Sequence, residues 1–153
     1  MIDRLYVQPG KVLLALRHFP MSDLHPFAFA AAEAATCAGP QGQFWNMHDL
    51  LFRNQDHLGR DDLQRAPASL WLEAQTFGVC LNGQATAHVE QDAGTGLRLG
   101  VNAAPTILIS MIEDVRSVNV SRRVSGSVPI PELRKILDDL LDGGGHGRPS
   151  KAH

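Results

Sequence analysis

Few features of this 153-residue sequence announce a chemistry by themselves. Its two cysteines, Cys37 and Cys80, form neither a Cys-x-x-Cys pair nor a zinc-type cluster. Aromatic residues make up only 6% of the chain, and no lysine or arginine cluster alternates with them. With a formal net charge of -2, no broad cationic face for nucleic acid is expected. No apolar run reaches the ~18 residues of a membrane span, so direct membrane insertion is not expected. The N-terminus, Met1-Ile2-Asp3-Arg4, lacks the basic stretch and apolar core of an export signal.

The histidines are scattered. His18, His25, His48, His57 and His88 form no H-x-x-x-H or H-E-x-x-H pattern, so no metal site is expected. His48 lies on a helical stretch whose Trp45 and Phe52 read as core, which makes it a packing histidine. There is no G-x-S-x-G elbow for a serine nucleophile. No internal repeat is visible. No cofactor is implied.

What is present is ordinary globular chemistry. Hydrophobic residues are 44% and charged residues 20%, and the length suits one domain with a real core. Met1 to Gly10 reads as the end of a helix stopped by Pro9-Gly10. Val12 to Leu16 is a short apolar run that suits a strand buried on both faces. Ser22 or Asp23 then suits a cap. An alanine-rich helix is expected from Phe27 to Ala38, ended by Gly39-Pro40. A second helix spans about Gln43 to Asn54.

Asp61 and Asp62 suit the first turn of a third helix, which Pro67 should kink or restart. Leu70, Trp71, Ala74 and Phe77 form an apolar stripe stopped by Gly78. A further helix is expected from about Asn82 to Leu97, its end loosened by Gly94, Gly96 and Gly100. Those glycines follow a helix, whereas a dinucleotide fingerprint follows a strand and opens a helix, so nucleotide binding is excluded.

Strands are expected at Thr106 to Ile109 and Val115 to Val124, with a turn at Glu113-Asp114. An amphipathic helix then runs from Ile130 to Leu141, with Pro131 at its start and Gly143 at its end. Residues 143–153 read as a flexible tail. The order strand, helices, strand, strand, helix defines an α/β or α+β sandwich with a small sheet. By themselves, the residues around Ala104-Pro105 describe an ordinary trans proline opening a strand. Cys37 and Cys80 fit either two buried thiols or one disulfide.

Several runs resemble one known family. They are Arg17-His18-Phe19-Pro20-Met21, His25-Pro26, Ala31-Ala32-Glu33-Ala34-Ala35 and Gln41-Gly42-Gln43-Phe44-Trp45-Asn46-Met47-His48-Asp49-Leu50-Leu51-Phe52. With them go Val89-Glu90-Gln91-Asp92, Gly96, Gly100-Val101 and Ala104-Pro105-Thr106. Together they closely resemble the DsbA-like thioredoxin-fold family of bacterial thiol:disulfide oxidoreductases. In particular they resemble the bacterial branch also found fused to quinone-linked reductase or antiporter membrane domains. The resemblance covers about residues 5–141.

It implies an α/β, thioredoxin-like fold over residues 1–142 with an inserted helical subdomain at about 23–96. It implies that Pro105 is cis and that Ala104 offers its backbone to an extended substrate peptide. It implies thiol-containing or unfolded protein substrates, a membrane redox partner and an extracytoplasmic setting. Some relatives carry cysteines near positions 37 and 80, which implies a supporting disulfide between helices. Two buried thiols and catalytic exchange stand as the alternatives.

The departures are equally informative. The family's first strand, the start of its first helix and its Cys-x-x-Cys are expected before Leu5, and this chain begins too late to hold them. Ala104 replaces the threonine of many relatives. Thiol–disulfide exchange needs a thiolate at low pKa with a resolving thiol beside it. The expectation is therefore a truncated, redox-inactive oxidoreductase domain with no catalytic residue of its own. The alternative is a non-enzymatic binding module using the cis-proline loop and an open sheet edge.

Overall fold

The computed structural model describes residues 2–114 and 117–143. Two compact units divide the chain, one of Leu16–Asn102 and one of Met1–Ala15 with Ala103–His153. The expected tail, apart from Gly143, lies outside the described residues, as do residues 115 and 116 of the expected second strand.

The first unit is helical. Its elements are α1 (Ala28–Ala38), α2 (Phe44–Arg53), α3 (Arg60–Ser69), α4 (Ala74–Val79) and α5 (Thr86–Arg98). Helix α1 is the hub and packs against each of the other four. Its composition explains why. Five of its eleven residues are buried, namely Ala32, Ala34, Ala35, Cys37 and Ala38, and alanines let neighbouring backbones come close. Around it Met47, Leu63, Ala66, Leu72, Phe77 and Ala85 complete one core cluster. Thr86 Oγ1 donates to Glu33 Oε1 at 2.6 Å and joins α5 to α1.

Several sequence expectations for this unit need correction. Neither Ser22 nor Asp23 caps α1. A turn closed by Leu24 N and His25 N on Met21 O precedes it, and the helix opens at Ala28 without a side-chain cap. Pro67 does not break α3. It lies buried in the last turn, and the helix ends two residues later at Ser69. Trp71 is not part of a core stripe. It has φ 56°, an uncommon left-handed conformation for a bulky residue, and it is 95% exposed.

Gly78 does not stop α4, which runs on through Val79 into a wide helical turn at Cys80–Gln84. The break falls at Asn82 and Gly83 instead. Gly83 has φ 125°, which favours glycine, so α5 opens only at Thr86. Gly96 does not loosen α5. A Cβ built there would lie 2.8 Å from Phe19 Cδ2, so the missing side chain admits a ring.

The second unit begins with a helical turn at Asp3–Val7, closed by Gln8 N on Asp3 O at 2.8 Å and followed by Gly10 at φ 73°. Strands β1 (Thr106–Asp114) and β2 (Ser117–Ser125) form an antiparallel pair, and α6 (Ile130–Gly143) follows. The pairing sets Thr106 against Ser125 and Ile107 against Val124, with an irregularity between Ile109 and Ser110. Leu137 of α6 is buried, and the buried Tyr6 donates from Oη to Asp138 Oδ1 at 2.7 Å.

Two expectations fail here. Glu113 and Asp114 are not the turn, because the ladder extends through them to pair Asp114 with Ser117. A strand partner outweighs the weak β-propensity of acidic residues. Val12 to Leu16 is not a strand. A strand exists through its ladder, and among the described residues the sheet holds β1 and β2 alone.

Candidate functional site

The singled-out residues fall into two places, one in each unit. In the sheet unit, β1 begins directly after Pro105. The Ala104–Pro105 peptide bond is cis. Pro105 O accepts from Gly126 N at 2.8 Å, and Thr106 Oγ1 donates to Ala103 O at 2.7 Å. These bonds hold the loop on both sides of Ala104. Ala104 and Pro105 are both exposed. The N–H and C=O of Ala104 have no hydrogen-bond partner among the described residues. One donor and one acceptor are thus presented to solvent beside a strand end.

In the helical unit, Cys37 and Cys80 form a disulfide with Cα atoms 5.6 Å apart, and no cysteine is free. That separation lies within the range a bridge requires. The reading as two buried thiols is therefore corrected. The bridge joins α1 to the turn after α4, two segments already packed together. Cys37 is buried in the last turn of α1. That end of a helix dipole disfavours a thiolate, whereas a reactive cysteine gains from an N-terminus.

A polar cluster that sequence reasoning did not assemble lies on α5. Asp92 is buried, and its Oδ2 accepts from His18 N at 3.0 Å. Arg17 Nη1 donates to Asp92 Oδ1 at 3.4 Å, and His88 Nε2 lies 3.8 Å from Oδ2. His18 is buried too, with Nε2 3.1 Å from Thr36 Oγ1 of α1. Its ring lies 5.9 Å from Phe44 and 6.4 Å from His88. Burial holds the His18 imidazole below its ordinary pKa, against the opposing pull of Asp92. The cluster clamps the Arg17–His18 segment between α1 and α5. Both of its ends stood among the quoted runs, Arg17-His18 and Val89-Glu90-Gln91-Asp92. Seventy-odd residues separate them, and no local pattern pairs them.

The remaining candidates are packing features. His48 lies 4.6 Å from the Phe52 ring and 5.4 Å from Trp45, with Nδ1 3.0 Å from Asp49 Oδ1. Trp45 and Phe52, expected as core, are exposed, so this row of rings lies along the outside of α2. Among the described residues no group of three His, Cys, Asp or Glu side chains is placed to hold a metal ion. Among them, too, no helix is long and apolar enough to cross a membrane.

A family model described as thioredoxin matches residues 1–138. The chain belongs to that family, and its fold is DsbA-like. The crystal structure of Wolbachia pipientis alpha-DsbA1 superposes with a TM-score of 0.76 at 22% identity. It covers 93% of this chain and 74% of that one. Among curated relatives, the Na(+)/H(+) antiporter NhaA 3 of Salinispora tropica is 36% identical over 110 residues, 71% of this chain and 17% of that protein. The Na(+)/H(+) antiporter NhaA 1 of Salinispora arenicola is 37% identical over 128 residues, 83% of this chain and 18% of that protein. The chain spans less than a fifth of the length of either relative.

Proposed function

We propose that the chain is the substrate-holding part of a DsbA-like thiol–disulfide oxidoreductase domain, and that these 153 residues do not themselves exchange thiols. One observation carries the reading: the Cys37–Cys80 bridge spans 43 residues, is no Cys-x-x-Cys pair, and has Cys37 buried in the last turn of α1. An exchanging disulfide needs a sulfur that a substrate thiolate can reach and a leaving cysteine stabilised as a thiolate. The C-terminal end of a helix favours neither at Cys37. In this reading Ala104 and Pro105 bind an extended thiol-containing or unfolded protein through the open backbone groups of Ala104. The shared stretch in proteins named as Na(+)/H(+) antiporters supports a membrane redox partner.

The test uses reduced, unfolded ribonuclease in a glutathione buffer. The purified chain is expected to leave the rate of disulfide formation at the buffer rate. The same ribonuclease with its cysteines blocked is expected to slow amide exchange at Ala104 in a saturable way. Rate acceleration by the chain, or an unchanged Ala104 amide at saturating ligand, overturns the reading.

A second reading, a non-enzymatic peptide-binding module, is favoured by the exposure of Ala104 without a thiol beside it.

A further inference from the structure

Asn82 and Gly83 break the helical path between Cys80 and α5. Asn82 has φ -84° and ψ 26°, and Gly83 has φ 125° and ψ -5°. Both residues are exposed. A Cβ built at Gly83 meets nothing within 4 Å, so no other segment crowds this peptide bond. An Asn-Gly pair suits a turn, because asparagine bonds locally and glycine takes positive φ. In this turn the asparagine side chain is bonded outward instead. Its Oδ1 accepts from Arg60 Nη2 at 2.9 Å, and its Nδ2 has no hydrogen-bond partner among the described residues.

The other asparagines are placed differently. None precedes a glycine: Met47, Gln55, Ala103 and Val120 follow Asn46, Asn54, Asn102 and Asn119. Met47 N, the nitrogen next to Asn46, is held by Gln43 O at 2.9 Å in the first turn of α2. Asn54 Nδ2 donates to Leu50 O at 2.7 Å. At Asn46 the neighbouring main-chain nitrogen is tied down, and at Asn54 the side-chain amide is. Only at Asn82 does the following residue carry no side chain to obstruct the approach of its nitrogen.

We propose that Asn82 is a site of spontaneous covalent modification, in which its side-chain amide becomes a carboxylate with the assistance of Arg60. The Gly83 nitrogen loses its proton to a solvent base and attacks Asn82 Cγ. The N–Cγ bond forms, the Cγ–Nδ2 bond breaks, and Nδ2 leaves as ammonia after taking a proton from solvent. Water then opens the cyclic imide, and no electrons are exchanged. The reacting atoms belong to adjacent residues, so the attack is intramolecular and gains from proximity. It places negative charge on Oδ1, where Arg60 already donates. The unpartnered Nδ2 has no protein hydrogen bond to break before it leaves.

Water can open the imide at either of two carbonyls. Opening at Cγ gives aspartate, whose carboxylate keeps the Arg60 bond and strengthens it with charge. Opening at the main-chain carbonyl gives isoaspartate, which routes the main chain through Cβ. The turn that links the Cys80 end of the disulfide to α5 then gains a carbon in its backbone.

The purified full chain is held at mildly alkaline pH, and conversion at each asparagine is followed by peptide mapping with mass spectrometry, both products being counted. Asn82 is expected to convert at least about tenfold faster than Asn46, Asn54, Asn102 or Asn119. Conversion should slow in mild acid, where the Gly83 nitrogen keeps its proton. Arg60 is exposed, so Arg60→Met should leave the fold in place. That variant is expected to slow Asn82 by about tenfold. In denaturant, where the guanidinium no longer meets Oδ1, it should match wild type. An intact Asn82 after another asparagine has begun to convert overturns the proposal, as does a rate that rises in acid. So does an equal or higher rate in folded Arg60→Met, or a difference from wild type that persists in denaturant.

Discussion

The helical unit and the sheet unit are held together by different means. The helical unit has a ten-residue core cluster, a disulfide and a buried polar clamp at Asp92. The sheet unit has two paired strands and one helix, and its buried side chains among those described are Tyr6 and Leu137. Two strands with little buried surface are marginal without more packing. The helical unit thus has a closed core, while the sheet unit leaves the backbone groups of Ala104 open. The open half also carries the proposed binding loop. That is where binding surface is expected, because groups already satisfied within the fold have nothing to offer a ligand.

The strongest challenge to this contrast is removal of the bridge. Cys37 and Cys80 are separated by 43 residues. Closing a loop of that length restricts the unfolded chain by about 4 kcal/mol in the chain-entropy account. The Cys37→Ser, Cys80→Ser double variant is expected to lose most of that in a denaturant melt of the helical signal. Wild type in reductant should match it. If the midpoint does not move, the core alone holds the helical unit and the bridge is dispensable.

Next in size is Leu137→Ala, expected to cost about 3 kcal/mol. This takes away one of the sheet unit's two buried side chains among those described, so the loss should be concentrated in α6 and the Tyr6 turn bonded to it. Amide exchange resolves the location. Faster exchange over residues 130–143 with α1 unchanged sharpens the contrast between units. Equal acceleration in both units would mean that they unfold as one.

Asp92→Ala should cost about 2 kcal/mol, because it leaves the buried His18 N–H without its acceptor. Little of that loss belongs to the ion pair with Arg17, whose side chain is largely exposed. Asp92→Asn keeps an acceptor and should recover most of the loss. If the asparagine variant is as unstable as the alanine one, charge rather than hydrogen bonding holds the clamp.

These contrasts also explain what could be read in the sequence. Helices α1, α2 and α6 were legible because alanine content or 3.6-residue periodicity marks them locally. The thioredoxin-like fold was legible through runs such as Gln41 to Phe52. Val12 to Leu16 misled because an apolar run states what a strand needs, not whether a partner is there. Gly78 and Gly83 are equally good stop signals on paper, and only the backbone shows that Gly83 takes the positive φ. The Asp92 clamp was hidden because its partners are distant in sequence. The Cys37–Cys80 tie was suggested by family resemblance, while spacing alone left thiols and disulfide open.

The smallest expected effect concerns Glu73 at the start of α4. Its carboxylate accepts from Gln75 N at 2.9 Å and Thr76 N at 2.6 Å, which caps the helix. Those bonds, the one from Thr76 above all, favour the charged form and hold its pKa below that of an ordinary glutamate. A carboxyl depressed by folding stabilises the fold fully above its unfolded pKa. The contribution fades as pH falls below 4.5 and through the lower folded value. Glu73→Gln should therefore lower stability slightly at neutral pH and converge with wild type in acid. The gap between the two melting curves, followed downward from pH 7, should close below pH 4.5. A gap that stays constant with pH would assign the cap's value to shape alone, and would leave the α4 end of the disulfide-tied region without an acid-sensitive contact at this position.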